Sequence, residues 1–276
     1  MIGPAFRLGA FAGIFLLAVL QTACGPEHEL PRPAPTLTPY PPFLYIGLSD
    51  AASPLPDLVS GPYETESAWP APRFVVGNDE TLLADLEQGV LEAVIVHHLP
   101  PDTPHWFSPI ALDGVVFLAH PDIGIESLSR GQIQAIFGGS VVSWETVGGP
   151  DLPIKLYSRE PGSGALAILQ DRIMENVPTS SLAQIAPGDD YMRQAVASSS
   201  GAIGYSMLGS TDGQGVLLID DNAATVDTVG EQLYPLTTPI YFVTRDEPEG
   251  ELREFLAWLQ SPDGQNVLGE KYGQVR

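Results

Sequence analysis

The segment Ser158–Ala165 reads SREPGSGA and lies where an apolar, strand-like run is followed by a helix-like run. Backbone N–H groups at the start of a helix are free to bind an anion, and the helix dipole favours negative charge there. Gly162 and Gly164 allow the backbone to approach a ligand closely. Ser163 adds a hydroxyl donor, and Arg159 adds a planar cation suited to a tetrahedral oxyanion. By itself, the segment fits an ordinary glycine-rich turn with a surface arginine equally well.

Strand-like and helix-like runs alternate along the body of the chain. The apolar patterns predict strands at 43–48, 74–77, 93–96, 115–118, 217–219 and 240–243, and helices at 79–88, 132–137, 165–174, 191–196 and 252–259. Strands that alternate with helices are typical of α/β architecture. The body is long enough for one or two domains with a sizeable core.

Four further segments extend the pattern: LSRGQIQAIFGGSVVSWETVGGPDLP at 128–153, GAIGY at 201–205, YPLTTPIYFVT at 234–244 and FLAWLQSPDGQ at 255–265. Together with the arginine turn they resemble the PstS-like phosphate-binding proteins of ABC importers, in the type II periplasmic (extracytoplasmic) solute-binding superfamily. The resemblance covers the chain well from about Leu112 onward. It implies mixed sheets with helices on both faces and a ligand cleft between two lobes, one of 43–113 with 238–276 and one of 114–237.

The resemblance also implies which residues bind the ligand. Donors from both lobes hold phosphate in the family, and the matching positions here are Arg159, Ser163, Gly164 and Ala165 in the second lobe and Ser49, Asn78, His97 and His98 in the first. Ala165 stands where the family usually has threonine, so one hydroxyl is lost and its N–H remains. Asp50 and Asp79 would repel an anion there unless turned away, and each is expected to cap a following helix.

His97 and His98 stand where the family usually has a proton acceptor for its ligand. A neutral histidine accepts a proton and a charged one donates, so the selectivity among oxyanions would depend on pH. The alternative is that both residues simply end a strand. A metal site built with His105 and His120 is a weaker interpretation, because adjacent strand residues point in opposite directions and no H-E-x-x-H or cysteine-rich spacing occurs.

The first residues predict export. Arg7 precedes a short apolar run, 8–20, and Ala23-Cys24-Gly25 follows, so we expect a signal peptide at 1–23 and a lipid on Cys24. The residue three before the cysteine is Gln21 rather than the usual aliphatic one, and ordinary secretory cleavage near Ala23 is the alternative. The proline-rich stretch to residue 42 predicts a tether, which would hold the body outside the cytoplasm on the cell membrane.

These observations favour an extracytoplasmic lipoprotein that binds a tetrahedral oxyanion, phosphate above all, for an ABC permease. The alternatives are a sensor without transport or a degenerate scaffold of the same fold. An acyl-transfer enzyme is disfavoured because Ser163 lies in G-S-G and no histidine follows it. The net charge of −22 excludes nucleic acid as a partner. We expect a monomer with no cofactor, no metal and no catalytic residues.

Overall fold

The computed structural model describes residues 43–275, which lie within one compact unit of the chain. The predicted signal peptide and tether fall outside these residues. The strands are β1 (Tyr45–Ser49), β2 (Arg73–Gly77), β3 (Ala93–Val96), β4 (Trp106–Ala119), β5 (Ser127–Leu128), β6 (Lys155–Ser158), β7 (Gln184–Ile185), β8 (Ala202–Met207), β9 (Leu218–Ile219) and β10 (Thr237–Thr244).

The helices are α1 (Leu55–Glu66), α2 (Asp79–Glu87), α3 (Arg130–Phe137), α4 (Gly164–Leu169), α5 (Asp189–Ser198), α6 (Val226–Gly230), α7 (Gly250–Gln260) and α8 (Pro262–Leu268). A π-helical turn, Gln170–Met174, continues α4. Within the described part of the chain, no helix combines the length and the apolar character needed to cross a membrane.

Eight strands form one mixed sheet in the order β2-β1-β3-β10-β4-β8-β6-β7. The strands β2, β1 and β3 run parallel, and so do β8, β6 and β7. The long strand β4 joins the two groups: its first part pairs antiparallel with β10, and its last part, from Val115 on, pairs antiparallel with β8. The predicted mixed α/β architecture is therefore confirmed.

Apolar side chains are buried in separate clusters on the two parts of the sheet. One large cluster takes all but one of its buried residues from 112–236. Two others take theirs from 44–111 and 240–272. The chain passes between these regions at β4 and at the start of β10, so the strand ends of both groups can face a common cleft.

Two elements differ from the sequence prediction because long-range packing decides them. α1 contains Pro62 in its interior, where proline normally opposes a helix, yet Leu55, Val59 and Tyr63 are buried along one face. β4 extends far beyond 115–118, since pairing with two different partners stabilises it over fourteen residues.

Candidate ligand-binding site

The predicted first-lobe and second-lobe turns all follow parallel strands. Ser49 ends β1, Asn78 follows β2, His97 follows β3 and Arg159 follows β6. In α/β proteins the crevice outside the carboxyl ends of parallel strands is the usual place for a ligand. The structure brings the turns of both sheet halves together, because the guanidinium of Arg159 forms an ion pair with Asp50, one residue beyond β1.

Asp79, the first residue of α2, places its carboxylate among donors from two other turns. Ser49 Oγ donates to Asp79 Oδ1 over 2.5 Å, and the backbone N–H groups of His97 and His98 donate to Asp79 Oδ2 over 2.9 and 3.0 Å. The residue is only 3% exposed. We call Ser49 Oγ and these two N–H groups the donor cage. The donor cage thus binds an oxyanion, and this oxyanion is the carboxylate of Asp79, a residue of the same chain.

The arginine turn closes over this carboxylate. The backbone N–H of Glu80 donates to the carbonyl of Gly162 over 3.1 Å, which joins α2 to the turn. Gly162 has a φ of +85°, a conformation that favours glycine. A Cβ on Gly164 would lie 2.1 Å from Asp79 Oδ2, so the glycine is what allows the carboxylate this position. Ser163 is buried beside it, and its hydroxyl has no hydrogen-bond partner among residues 43–275.

Arg159 is buried and bound to three carboxylates. Its Nε and one Nη donate to Glu160 over 3.1 and 3.0 Å, and its Nη groups also pair with Asp50 and Asp189. Its backbone N–H donates to Tyr205 Oη over 3.0 Å, which fixes the start of the turn. One cation therefore balances three anionic side chains, and most of its N–H donors are already engaged.

Burial changes the protonation of this cluster. It raises the pKa of Asp50 to about 6, against the opposing effect of Arg159. Burial also raises the pKa of Asp189, although Arg159 lowers it. Burial alone would lower the pKa of Arg159, but the hydrogen bonds to Glu160 and the nearby aspartates outweigh it and raise the pKa. The arginine therefore stays charged, while Asp50 changes its charge near pH 6.

The two adjacent histidines have different surroundings. The buried ring of His97 places Nε2 3.1 Å from Asp113 Oδ2, while Asp113 Oδ1 accepts the N–H groups of Gly114 and Gly209 over 2.7 and 3.0 Å. Burial lowers the pKa of His97, but the hydrogen bond and charge of Asp113 outweigh that effect and raise it. His97 therefore meets the donor cage only through its backbone.

His98 is partly exposed, and its Nε2 lies 3.1 Å from Asp171 Oδ2. Within residues 43–275, no group of three or more histidine, cysteine, aspartate or glutamate residues could hold a metal ion.

Two aspartates differ from the expectation, and a third was not predicted. The side-chain oxygen of Asn78 caps α2 by accepting the N–H of Thr81 over 2.9 Å, and its role as a ligand donor stays a prediction. Asp79 and Asp50 were expected to be turned away as helix caps, and this was wrong: Asp79 lies in the donor cage and Asp50 pairs with Arg159. Sequence reasoning missed Asp189 altogether. Its position in the first turn of α5 is the commonest place for an aspartate and gave no signal.

A cavity of about 870 Å³ opens between α2 and α4, beside the donor cage. Asp79, Ser163 and Gly164 line it, and so do His98 and Asp171. Its remaining walls include carboxylates and apolar side chains, and none of the described residues that line it is lysine or arginine. An anion in this cavity would therefore depend on neutral donors rather than on a positive field.

Comparison with known proteins identifies the fold. Residues 76–263 match the model of a family described as the PBP superfamily domain. The phosphate-binding protein PstS of Bacillus subtilis is 25% identical over 203 residues, which cover 72% of this chain and 63% of that protein. This chain thus spans less than two thirds of that relative.

Solved structures agree with this assignment. A Clostridium perfringens protein solved with bound phosphate matches with a TM-score of 0.78 and 22% identity, over 84% of this chain and 99% of its own. An ABC-type phosphate transport receptor from Vibrio cholerae gives a TM-score of 0.69 and 20% identity, over 84% and 100%. The predicted two-lobed binding-protein fold is confirmed. With more than half of its length matched by the family model, this chain belongs to the PBP superfamily.

Proposed function

We propose that this protein is an extracytoplasmic binding protein for a tetrahedral oxyanion, with phosphate as the first candidate, and that it serves an ABC importer. The observation that carries the proposal is the donor cage, because it binds the two oxygens of a carboxylate with three neutral donors. Such donors suit any oxyanion of similar size. The relatives named phosphate-binding proteins support the choice of phosphate.

The proposed contacts combine the cage with the arginine turn. The hydroxyl of Ser163 has no partner in the described part of the chain, and Ser163 lines the same cavity, so this hydroxyl can donate to a ligand without breaking a bond seen there. The N–H groups of Gly164 and Ala165 are the further donors proposed there. Arg159 remains a proposed contact, although its three carboxylate partners make it at least as much a support for the turn.

The proposed lobes are 43–113 with 238–276 and 114–237, and their separate apolar clusters support this division. The membrane anchor is a proposal of its own. We infer that the chain is cleaved before Cys24 and that a lipid is attached there, which would hold the binding domain at the outer face of the cell membrane. Mass spectrometry of protein from the native host tests this, since a water-soluble mature chain with an unmodified cysteine would contradict it.

Phosphate, sulfate and molybdate are to be tested on the purified protein by thermal shift and calorimetric titration. A ligand of the folded state raises the melting temperature by mass action, and we expect phosphate to do so. Ser163→Ala should leave the unliganded stability unchanged, because the hydroxyl has no partner, and should weaken phosphate binding about 3- to 10-fold for one lost hydrogen bond. Ser198→Ala, outside the cavity, is the control and should leave the affinity unchanged.

A second candidate function is favoured by the occupied donors. If no oxyanion raises the melting temperature at millimolar concentration, the protein is a scaffold or sensor in which carboxylates of the chain have replaced the ligand. The cluster around Arg159 supports this alternative, because its single cation is already shared by three anionic groups.

A further inference from the structure

We propose that Asp79 is a built-in occupant of the ligand site: its carboxylate takes the place of the ligand's anionic group, and an oxyanion binds only after Asp79 has left the donor cage. This inference rests on the proposed function for the identity of the ligand. Asp79 would then limit the affinity for the ligand, and the described conformation would be one in which the chain blocks its own binding site.

The hydrogen bonds of Asp79 are those of a bound anion rather than of a helix cap. All three donors lie far away in sequence, with Ser49 thirty positions before it and His97 and His98 eighteen and nineteen positions after it. A capping aspartate accepts N–H groups of its own first turn. Asn78 already performs that task for α2.

The site has no space for a ligand oxygen while Asp79 is present. Both carboxylate oxygens are engaged by the cage, and Oδ2 lies so close to Gly164 that a Cβ there would be 2.1 Å away. A second anion on the same donors would also meet the negative charge of Asp79 at contact distance, inside a region that excludes most water. Steric exclusion and charge repulsion therefore act in the same direction.

Asp79 nevertheless has a route out. The residue lines the cavity of about 870 Å³, so rotation of its side chain can bring the carboxylate into that space. The start of α2 would survive the change, because the cap at Asn78 and the bond from Glu80 to Gly162 do not involve the Asp79 side chain. In this process the ligand takes the place of the Asp79 carboxylate on the same three donors.

The expected effect on affinity follows from the population of the open site. The apparent dissociation constant equals the intrinsic one divided by the fraction of molecules in which the cage is free. A cage that is free in a tenth of the molecules or fewer therefore weakens binding by about tenfold or more. Removing the Asp79 carboxylate should therefore increase the affinity by the same factor.

The experiment compares the wild-type protein with Asp79→Ser and with the control Asp85→Ser, which makes the same change on α2 outside the cavity. Phosphate is titrated calorimetrically into all three proteins. Sodium formate, a small carboxylate, is added in a thermal-shift series against sodium chloride at equal ionic strength. We expect Asp79→Ser to bind phosphate at least tenfold more tightly than the wild type and Asp85→Ser. Formate should raise the melting temperature of Asp79→Ser alone.

Each outcome decides something. If the wild type binds phosphate and Asp79→Ser binds it no more tightly, the inference is wrong and the proposed function stands. If no protein binds phosphate, formate decides: a rise confined to Asp79→Ser supports Asp79 as the occupant and contradicts the phosphate function, and no rise contradicts both. If Asp79→Ser does not fold, Asp79→Asn undergoes the same comparison. Its amide nitrogen cannot accept the N–H groups of His97 and His98, so this variant should also bind phosphate more tightly than the wild type.

Discussion

Replacement of Arg159 by methionine should destabilise the protein more than any surface charge change. The side chain of Arg159 is fully buried, while its partners Asp189, Asp50 and Glu160 are 2, 20 and 21% exposed. Removal of one partner from a buried ion pair leaves an uncompensated charge and typically costs about 3–5 kcal/mol. Asp189 accounts for most of this, because it is the partner without access to water.

The matched control is Arg193→Met, which removes an arginine from an ion pair on the surface. Its partner Asp190 is 88% exposed, and pairs of this kind contribute about 0–1 kcal/mol. Urea denaturation at pH 7.5 measures both free energies of unfolding. The loss in Arg159→Met should shrink as the pH falls toward 4, because protonation removes the unpaired negative charges. Equal losses in the two variants, or a loss below about 1 kcal/mol in Arg159→Met, would refute the reasoning.

Two further outcomes are expected. The folded-state pKa of Asp50 is raised from 3.8 to about 6, so the folded state binds more protons than the unfolded chain between these values. Stability is then lost as the pH rises through this window, by at most about 3 kcal/mol from this residue. Chemical denaturation from pH 4 to 7 should show a larger loss in the wild type than in Asp50→Asn, in which the contribution of Asp50 is absent. Gly164→Ala should cost about 1–3 kcal/mol in the same assay, because its Cβ displaces the Asp79 carboxylate and leaves the donors of the cage without their acceptor. Gly131→Ala, which meets open space in α3, should be neutral or stabilising, and similar effects of the two changes would contradict this reasoning.

The sequence predicted the features of the fold that depend on local chemistry. β3 was predicted with the observed bounds, because a short run of apolar β-branched residues ends abruptly at His97. The helix now seen as α3 was located within two residues, and its start carries a capping box of Ser129 and Gln132. That the turns of the site meet was predicted from the resemblance to the phosphate-binding family rather than from a local pattern.

Long-range partners were not predictable from the same patterns. α1 was missed because prolines and a glycine hide its apolar spacing, and only the burial of Leu55, Val59 and Tyr63 shows why it forms. The last predicted helix, 252–259, lies within α7, whereas α8, which begins at Pro262 after the cap Ser261, was not predicted as a helix of its own. Local signals therefore located several of the elements but not all of their lengths.

The ion pairs and hydrogen bonds of the site also join residues that are distant in sequence. Asp50 lies 109 positions before Arg159 and Asp189 thirty positions after it, and no spacing rule links residues that far apart. An aspartate at the start of a helix is usually a cap, so the inward position of Asp79 ran against the best local expectation. The turns of the site could be predicted, but the backbone donors of His97 and His98 and the carboxylate that they bind could not.

Only a few of the many acidic residues of the chain are expected to affect ligand binding, namely those whose carboxylates lie in the proposed site. Solvent and salt screen a net charge of −22 beyond about 8–10 Å, so the charges on the outer surface have little effect at the bottom of a cleft. The carboxylates of Asp79 and of the Arg159 cluster lie within the proposed site, where burial makes this screening much weaker. Affinity for an oxyanion is therefore set by competition with these few groups rather than by the number of donors. It follows that neutralising Asp79 alone should alter binding more than neutralising many acidic residues on the surface.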